Sequence, residues 1–104
     1  MNLDLILFPE AEEETHEAVA WYEQEQAGLG LEFLAELDHL FARIANAPRQ
    51  FPAWELNPQF RKAVVSRFPY VVFFQERGGE GVEAVAIAHG RRKPGYWQHR
   101  RRPS

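Results

Sequence analysis

The 104-residue sequence contains no cysteine, and its longest apolar runs fall far short of a membrane span. Without cysteine the chain has no disulfide and no thiolate metal site. A membrane-spanning helix needs about 20 apolar residues, and the opening residues, MNLDLILF, lack the basic region and cleavage site of a signal peptide. The sequence also lacks a glycine-rich phosphate loop, a nucleophilic triad and zinc-ligand spacing. We therefore expect a cytoplasmic protein that needs no cofactor and no metal.

Acidic and basic residues are unevenly distributed along the chain, although the net charge is only −3. Residues 1–46 contain eleven Asp and Glu and one Arg, whereas residues 47–104 contain four Glu and eleven Lys and Arg. Six of the twelve basic residues lie in the last fourteen positions. Such polarity indicates two surfaces with different partners. Acidic helices balanced by a basic tail would give the same numbers, so both interpretations stay open.

The spacing of the apolar residues predicts six regular elements. Pro9, followed by four glutamates in the next five positions, predicts the start of a helix, and the glycines at 28 and 30 predict its end. Apolar residues at intervals of three and four predict the second helix, and alternating or continuous apolar segments predict the strands. The predicted segments are a strand at 2–7, helices from 9 and over about 30–46, a loop at 48–59 anchored by Phe51 and Trp54, and strands at 60–66, 70–76 and 82–89.

This β-α-α-β-β-β order predicts an α+β fold in which a helical hairpin packs on one face of a small antiparallel sheet. Residues 1–104 suit a single domain, and residues 100–104 are expected to be a loose tail. We expect Trp21, Tyr22 and Trp97 in the core. No segment remains to cover the reverse face of the sheet, although YVVFF and VAIA are apolar on both sides. An uncovered apolar face implies a partner.

Three groups of residues together resemble one known family. They are Ala11-x-x-Glu14-x-x-x-Ala18-x-x-Trp21-Tyr22, then Gly28-Leu29-Gly30 with Phe33 and Leu37, then RKAVVSRFPYVVFF at 61–74 followed by VEAVAIAHGRRKPGYW at 82–97. In combination these groups resemble the RelE/ParE superfamily of type II toxin–antitoxin toxins. The resemblance covers residues 3–97 and is nearer to the ParE-like branch.

The resemblance implies the fold given above and the function of a growth-inhibiting toxin, of the kind found in plasmid stabilisation systems. Such a toxin is neutralised by an antitoxin encoded beside it. RelE-like members cut messenger RNA in the ribosomal A site, whereas ParE-like members inhibit DNA gyrase. The antitoxin wraps apolar toxin surface, for which the candidate residues here are Val71, Phe73, Val85 and Ile87. A homodimer and a hetero-oligomer with the antitoxin both stay open.

Basic residues on and after the strands are the candidate contacts with the target: Arg61, Lys62, Arg67, Arg91, Arg92 and Lys93. If the chain cleaves RNA, the resemblance makes Arg92 and Tyr96 its candidate catalytic residues. Metal-free RNA cleavage needs a base, an acid and cations that stabilise the transition state. That set is incomplete, because Tyr70 stands where RelE-like members carry a strand arginine and KAVVS contains only one basic residue, Lys62.

The incomplete set favours a toxin that binds a protein target such as DNA gyrase. The charge agrees, since phosphate contacts dominate nucleic-acid affinity and a net charge of −3 is poor for approaching a polyanion. Two alternatives remain. One is a ribosome-dependent mRNA endonuclease of the RelE type, and the other is a non-toxic module that only pairs with its partner.

Overall fold

The computed structural model describes residues 3–102 and follows the predicted order of elements. In chain order these are β1 (Asp4–Leu7), α1 (Pro9–Glu25), α2 (Leu29–Asn46), a 3-10 turn (Pro48–Gln50), β2 (Arg61–Val64), β3 (Tyr70–Arg77) and β4 (Gly81–His89). The predicted fold class is confirmed, with small shifts at the strand ends. The predicted first strand included residue 2, which lies outside the described residues.

The helical hairpin is fixed at its turn by one carboxylate. Glu23, in the last turns of α1, accepts hydrogen bonds from the backbone N–H groups of Gly28 at 2.8 Å and Gly30 at 3.0 Å. These N–H groups belong to the start of α2, where four donors lack helical partners. Gly28 has a φ of +89°, and a β-carbon on Gly30 would stand 2.6 Å from the carbonyl oxygen of Val19. Glycine at both positions therefore permits the tight turn and the close approach of the helices.

The sheet has the order β1-β4-β3-β2 and is mixed rather than antiparallel. β2 with β3 and β3 with β4 are antiparallel, as predicted. β1, however, pairs in parallel with the first half of β4, from Asp4 opposite Gly81 to Leu7 opposite Ala84. The all-antiparallel prediction is therefore wrong at this pair. The reason is topological: β4 runs in the same direction as β2, and the two helices and the long loop return the chain so that β2 starts from the same end as β1.

One face of the sheet packs on the helices. Phe33, Leu37 and Ile44 of α2 are fully buried there. Tyr22 of α1 contacts both Phe33 and Tyr70 through their rings, at centroid distances of 5.4 and 6.2 Å. The core prediction is thus confirmed for Tyr22. It is wrong for Trp21, which remains 56% exposed because its neighbour Tyr22 occupies the place against Phe33 and Tyr70.

The reverse face of the sheet is covered by the chain itself, contrary to the prediction of a bare surface. Trp97 is 1% exposed, which confirms its predicted place in the core. Its indole stacks on Phe73 at 4.6 Å and contacts Trp54 at 5.1 Å and Phe60 at 4.7 Å. The loop before β2 and the segment after β4 therefore meet over the middle of this face. The sequence pattern could not show this, because neither segment has a regular period.

The C-terminal segment, residues 94–102, is tied to the fold beyond Trp97. Arg100 forms an ion pair with Glu14 of α1 at 2.8 Å, and Arg102 hydrogen-bonds through Nη2 to Glu83 of β4 at 3.0 Å. Glu83 is fully buried, and a buried carboxylate requires a partner. These contacts differ from the loose tail expected for residues 100–104, of which 103 and 104 lie outside the described part of the chain.

Candidate functional site

Three adjacent basic residues occupy the loop that follows β4. Arg91, Arg92 and Lys93 are all exposed. The loop is shaped by short-range hydrogen bonds: Arg91 N–H donates to the Nδ1 atom of His89, and Arg92 N–H donates to the carbonyl of His89, both at 3.0 Å. Within residues 3–102, none of the three takes part in an ion pair. We call these three residues the cationic loop.

The other predicted target contacts have partners inside the molecule. Arg61 donates to the carbonyl of Phe51 at 2.7 Å, and Lys62 pairs with Glu55 at 3.1 Å. Arg67 pairs with Glu32 of α2 at 2.7 Å, and this hydrogen bond raises the pKa of the Arg67 guanidinium. Exposed pairs of this kind contribute little to stability. The turn that carries Arg67 meets the cationic loop, since Gly90 N–H donates to the carbonyl of Pro69, whereas Arg61 and Lys62 lie on the outer strand.

Tyr96, a predicted catalytic residue, is bound into the structure by its hydroxyl group. The hydroxyl donates a hydrogen bond to the carboxylate of Glu14. The ring lies beside two guanidinium groups, with Arg92 at 3.9 Å and Arg100 at 5.2 Å from its centroid. Burial, followed by the hydrogen bond to Glu14, raises the pKa of Tyr96 far above its ordinary value. A phenol in this state neither accepts nor releases a proton readily near neutral pH.

The carboxylate of Glu14 accepts hydrogen bonds from three different residues. Besides Tyr96, its carboxylate accepts from both terminal nitrogens of Arg100, at 2.8 and 2.9 Å, and from the backbone N–H of Ile87 at 3.0 Å. The hydrogen bond to Glu14 also raises the pKa of Arg100. Sequence reasoning gave Glu14 no role beyond the family signature. The available signal was its position three residues after Ala11 and four before Ala18, on the buried face of α1.

Arg100 and Glu14 also close an open sheet edge. β1 covers β4 only as far as Ala84, and in the described chain no strand pairs with that side of β4 beyond it. Arg100 donates to the carbonyl of Val85 at 3.0 Å, while Glu14 accepts from Ile87. Side chains thus satisfy backbone groups that a neighbouring strand would otherwise bond.

The four predicted antitoxin contacts do not share one surface. Val85 and Ile87 are buried, at 2% and 1% exposure. Val71 and Phe73 are half-buried on the reverse face, where they line a cavity of about 150 Å³ together with Trp54, Ala88 and the loop residues 90 and 92–97. Val64, opposite Val71 on the edge strand, is 66% exposed and extends this apolar row. Sequence reasoning missed Val64, although its place beside Val65 in KAVVS carries the signal.

The described residues were also compared with the requirements of a metal site and of a membrane-spanning helix. Among residues 3–102, no three His, Asp or Glu side chains form a group that could hold a metal ion. Over the same range, neither helix combines the length and the apolar character of a membrane span.

All three tyrosines have raised pKa values, with burial as the first cause. Their stabilising contribution is therefore complete below pH of about 10, the value for a free tyrosine, and is lost as the pH rises through the folded-state pKa values. We expect the folded chain to form little phenolate at pH 10, measured by ultraviolet difference absorbance. The chain unfolded in denaturant should form it readily. Half-ionisation of all three tyrosines near pH 10 in the folded chain would contradict this result.

The chain matches, over residues 5–94, the family described as the ParE toxin of the type II toxin–antitoxin system, parDE. Among solved structures it is similar to a chain of the chromosomal ParDE TA system from P. aeruginosa, with a TM-score of 0.74 and 14% sequence identity. The superposition covers 84% of this chain and 95% of that one. At 14% sequence identity, this structural similarity shows that the two chains share a fold and nothing more. No curated protein matches the chain.

Proposed function

Because the chain belongs to the ParE toxin family of type II toxin–antitoxin systems, we propose that it arrests growth by binding a protein target, DNA gyrase, and not by cutting RNA. Membership of this family makes the chain the toxin component of its system and implies an antitoxin partner. We infer the kind of target, protein or RNA, from the chemistry of the residues that follow β4.

The observation that carries the proposal is the state of Tyr96. RNA cleavage without a metal needs a group that takes the 2′-hydroxyl proton and a group that protonates the leaving oxygen. The hydroxyl of Tyr96 is engaged by Glu14, and its pKa is raised by burial and by that bond. Arg92 lies on the ring of Tyr96, and Lys62 pairs with Glu55. Tyr96 is therefore not free to act as the acid or the base of RNA cleavage, and Arg92, which stays protonated, cannot replace it.

The cationic loop supports the proposal that the target is a protein. Its three side chains are exposed, with the guanidinium of Arg92 on the ring of Tyr96, and its backbone is fixed by His89. Arginine is common among residues that dominate protein interfaces. The acidic α1 lies beside this loop, since Glu14, Glu17 and Arg92 line one cavity. A phosphate backbone would meet repulsion from these carboxylates, whereas a protein surface with charges of both signs would fit them.

The test combines two activity assays on one preparation. We expect the chain to inhibit DNA supercoiling by gyrase and to leave messenger RNA intact on ribosomes. Replacing Arg91, Arg92 and Lys93 together by alanine should reduce inhibitory potency at least roughly tenfold, the loss of a hot-spot contact. Arg49→Ala is the matched control, because Arg49 is exposed but lies near Glu76, away from the cationic loop.

Three results would overturn the proposal. The first is normal supercoiling in the presence of a preparation that arrests growth. The second is ribosome-dependent cleavage of messenger RNA that Arg92→Ala abolishes, which would establish the endonuclease alternative. The third is normal growth of bacteria that express the chain without its antitoxin, which would establish the non-toxic module.

A further inference from the structure

Four aromatic rings surround a surface cavity at the end of the sheet nearest the cationic loop. The cavity has a volume of about 240 Å³ and is lined by Trp21, Tyr22, Tyr70 and His89. We call these four residues the aromatic corner. Trp21 and Tyr22 stand edge to face at 5.2 Å and 82°, and Tyr70 and His89 do so at 5.1 Å and 82°.

The exposure of Trp21 marks this cavity as unfilled. The other two tryptophans, Trp54 and Trp97, are at most 4% exposed, whereas more than half of the Trp21 surface faces solvent. An exposed indole within a group of aromatic residues is typical of an interaction site.

Negative charge adjoins the aromatic corner. A second cavity, of about 210 Å³, shares Trp21, Tyr70 and His89 with it and is also lined by Glu14, Glu17 and Arg92. Glu14 is paired with Arg100, and the guanidinium of Arg92 lies on the ring of Tyr96, so the carboxylate available to a ligand is that of Glu17. Glu17 is exposed and has no ion pair within the described chain. Glu13, Glu17 and Trp21 follow one another at intervals of four along α1, so they lie on one side of the helix. The negative charges of Glu14 and Glu17 add to burial in raising the pKa of Tyr70.

Rings combined with carboxylates favour a cationic ligand. The faces of aromatic rings attract ammonium and guanidinium groups, and an adjacent carboxylate strengthens that attraction. The molecule already shows this chemistry beside the cavity, where the guanidinium of Arg92 lies on Tyr96. Exposed aromatic rings also stack on RNA bases, and the adjoining cationic loop would attract their phosphates. The exposed carboxylate of Glu17, one turn before Trp21 on α1, favours a cation over a phosphate at this position.

We propose that the aromatic corner binds one arginine or lysine side chain of the antitoxin, with the rings enclosing the cation and Glu17 providing the counter-charge. The proposal rests on the chain being a toxin with an antitoxin partner, and it is independent of which target the toxin inhibits. It places part of the antitoxin interface on α1, which is distinct from the apolar row of Val64 and Val71 on the reverse face.

The first experiment measures binding of a small probe to the isolated chain. The indole N–H resonance of Trp21 is followed by NMR while Nα-acetyl-arginine amide is added, with the uncharged Nα-acetyl-citrulline amide as the control ligand. We expect a saturable shift with the arginine compound only, weakened at least threefold by Glu17→Gln and unchanged by Leu31→Ala, which alters an exposed apolar residue on α2.

Three outcomes of this titration would overturn the proposal. One is the absence of any shift, and another is an equal shift with the citrulline compound, because the site would then not recognise charge. The third is tighter binding of adenosine monophosphate or a short oligoribonucleotide, which would assign the aromatic corner to RNA. Trp21 and Glu17 are exposed, so their variants should fold, and thermal unfolding verifies this.

The second experiment measures the affinity of the antitoxin for the full chain by calorimetry. Trp21→Ala should weaken binding about tenfold, equivalent to about 1.4 kcal/mol, and Leu31→Ala should change it less than twofold. Replacing one arginine or lysine of the antitoxin by glutamine should cost as much, without additivity with Trp21→Ala. Unchanged affinity of Trp21→Ala would overturn the inference, whereas failure of gyrase inhibition would overturn only the proposed target.

Discussion

Trp97→Ala is expected to lower the free energy of unfolding by about 4 kcal/mol, since truncation of a buried tryptophan typically costs 3–5 kcal/mol. Trp97 is 1% exposed and contacts three aromatic side chains, Phe73, Trp54 and Phe60. Its removal leaves a large cavity and exposes the middle of the reverse face. A domain of this size is stable by only about 5–15 kcal/mol, so the substitution removes a large fraction of the total stability.

Chemical denaturation measures this loss, and thermal unfolding should show a midpoint lowered by roughly 15 °C or more. Trp21→Ala is the matched control, because it makes the same substitution at an exposed indole and should change stability by about 0.5 kcal/mol at most. Equal effects of the two substitutions would show that Trp97 does not cover the sheet in solution.

Glu14→Ala is expected to cost about 3 kcal/mol of stability. The Glu14 and Arg100 side chains are 13% and 9% exposed, and removal of one partner from a largely buried ion pair typically costs 3–5 kcal/mol. The substitution also leaves the hydroxyl of Tyr96 and the N–H of Ile87 without their acceptor. The residues after Trp97, which remains in the core, should then detach from α1 and expose the edge of β4.

Urea denaturation of Glu14→Ala, Arg100→Ala and the double variant tests this contact. The double variant should be much more stable than the sum of the two losses indicates, since each substitution removes the same ion pair. Glu13→Ala is the control, because Glu13 is the exposed neighbour on the same helix turn, and it should be nearly neutral. Additive losses in the double variant would show that Glu14 and Arg100 do not interact.

Much of the fold could be predicted because the sequence patterns that indicate helices and strands are local. The periodicity of α2 and the apolar run of β3 each indicate their own structure, and Pro9 marks the start of α1. The direction of β1 was not predictable in this way. Alternation along a strand shows which residues face the core, but it does not show whether the neighbouring strand, distant in the sequence, runs parallel or antiparallel.

The site was less predictable because it depends on contacts between distant residues. The cationic loop was visible as three consecutive basic residues after a strand. The role of Glu14 was not, because it is one of several glutamates on α1 and only tertiary structure distinguishes the one that meets Arg100. The exposure of Trp21 was missed because tryptophan is usually buried, and the sequence does not show which of the adjacent rings, Trp21 or Tyr22, packs against the sheet.

The pairing of β1 with β4 has a consequence for the order of folding events. The helical hairpin and the β2-β3-β4 meander are built from contacts between neighbouring elements, which form quickly. β1 can join only after a loop spanning most of the chain has closed around both units, and closure of long loops is entropically unfavourable. We therefore expect the docking of this short edge strand on β4 to be a late event in folding.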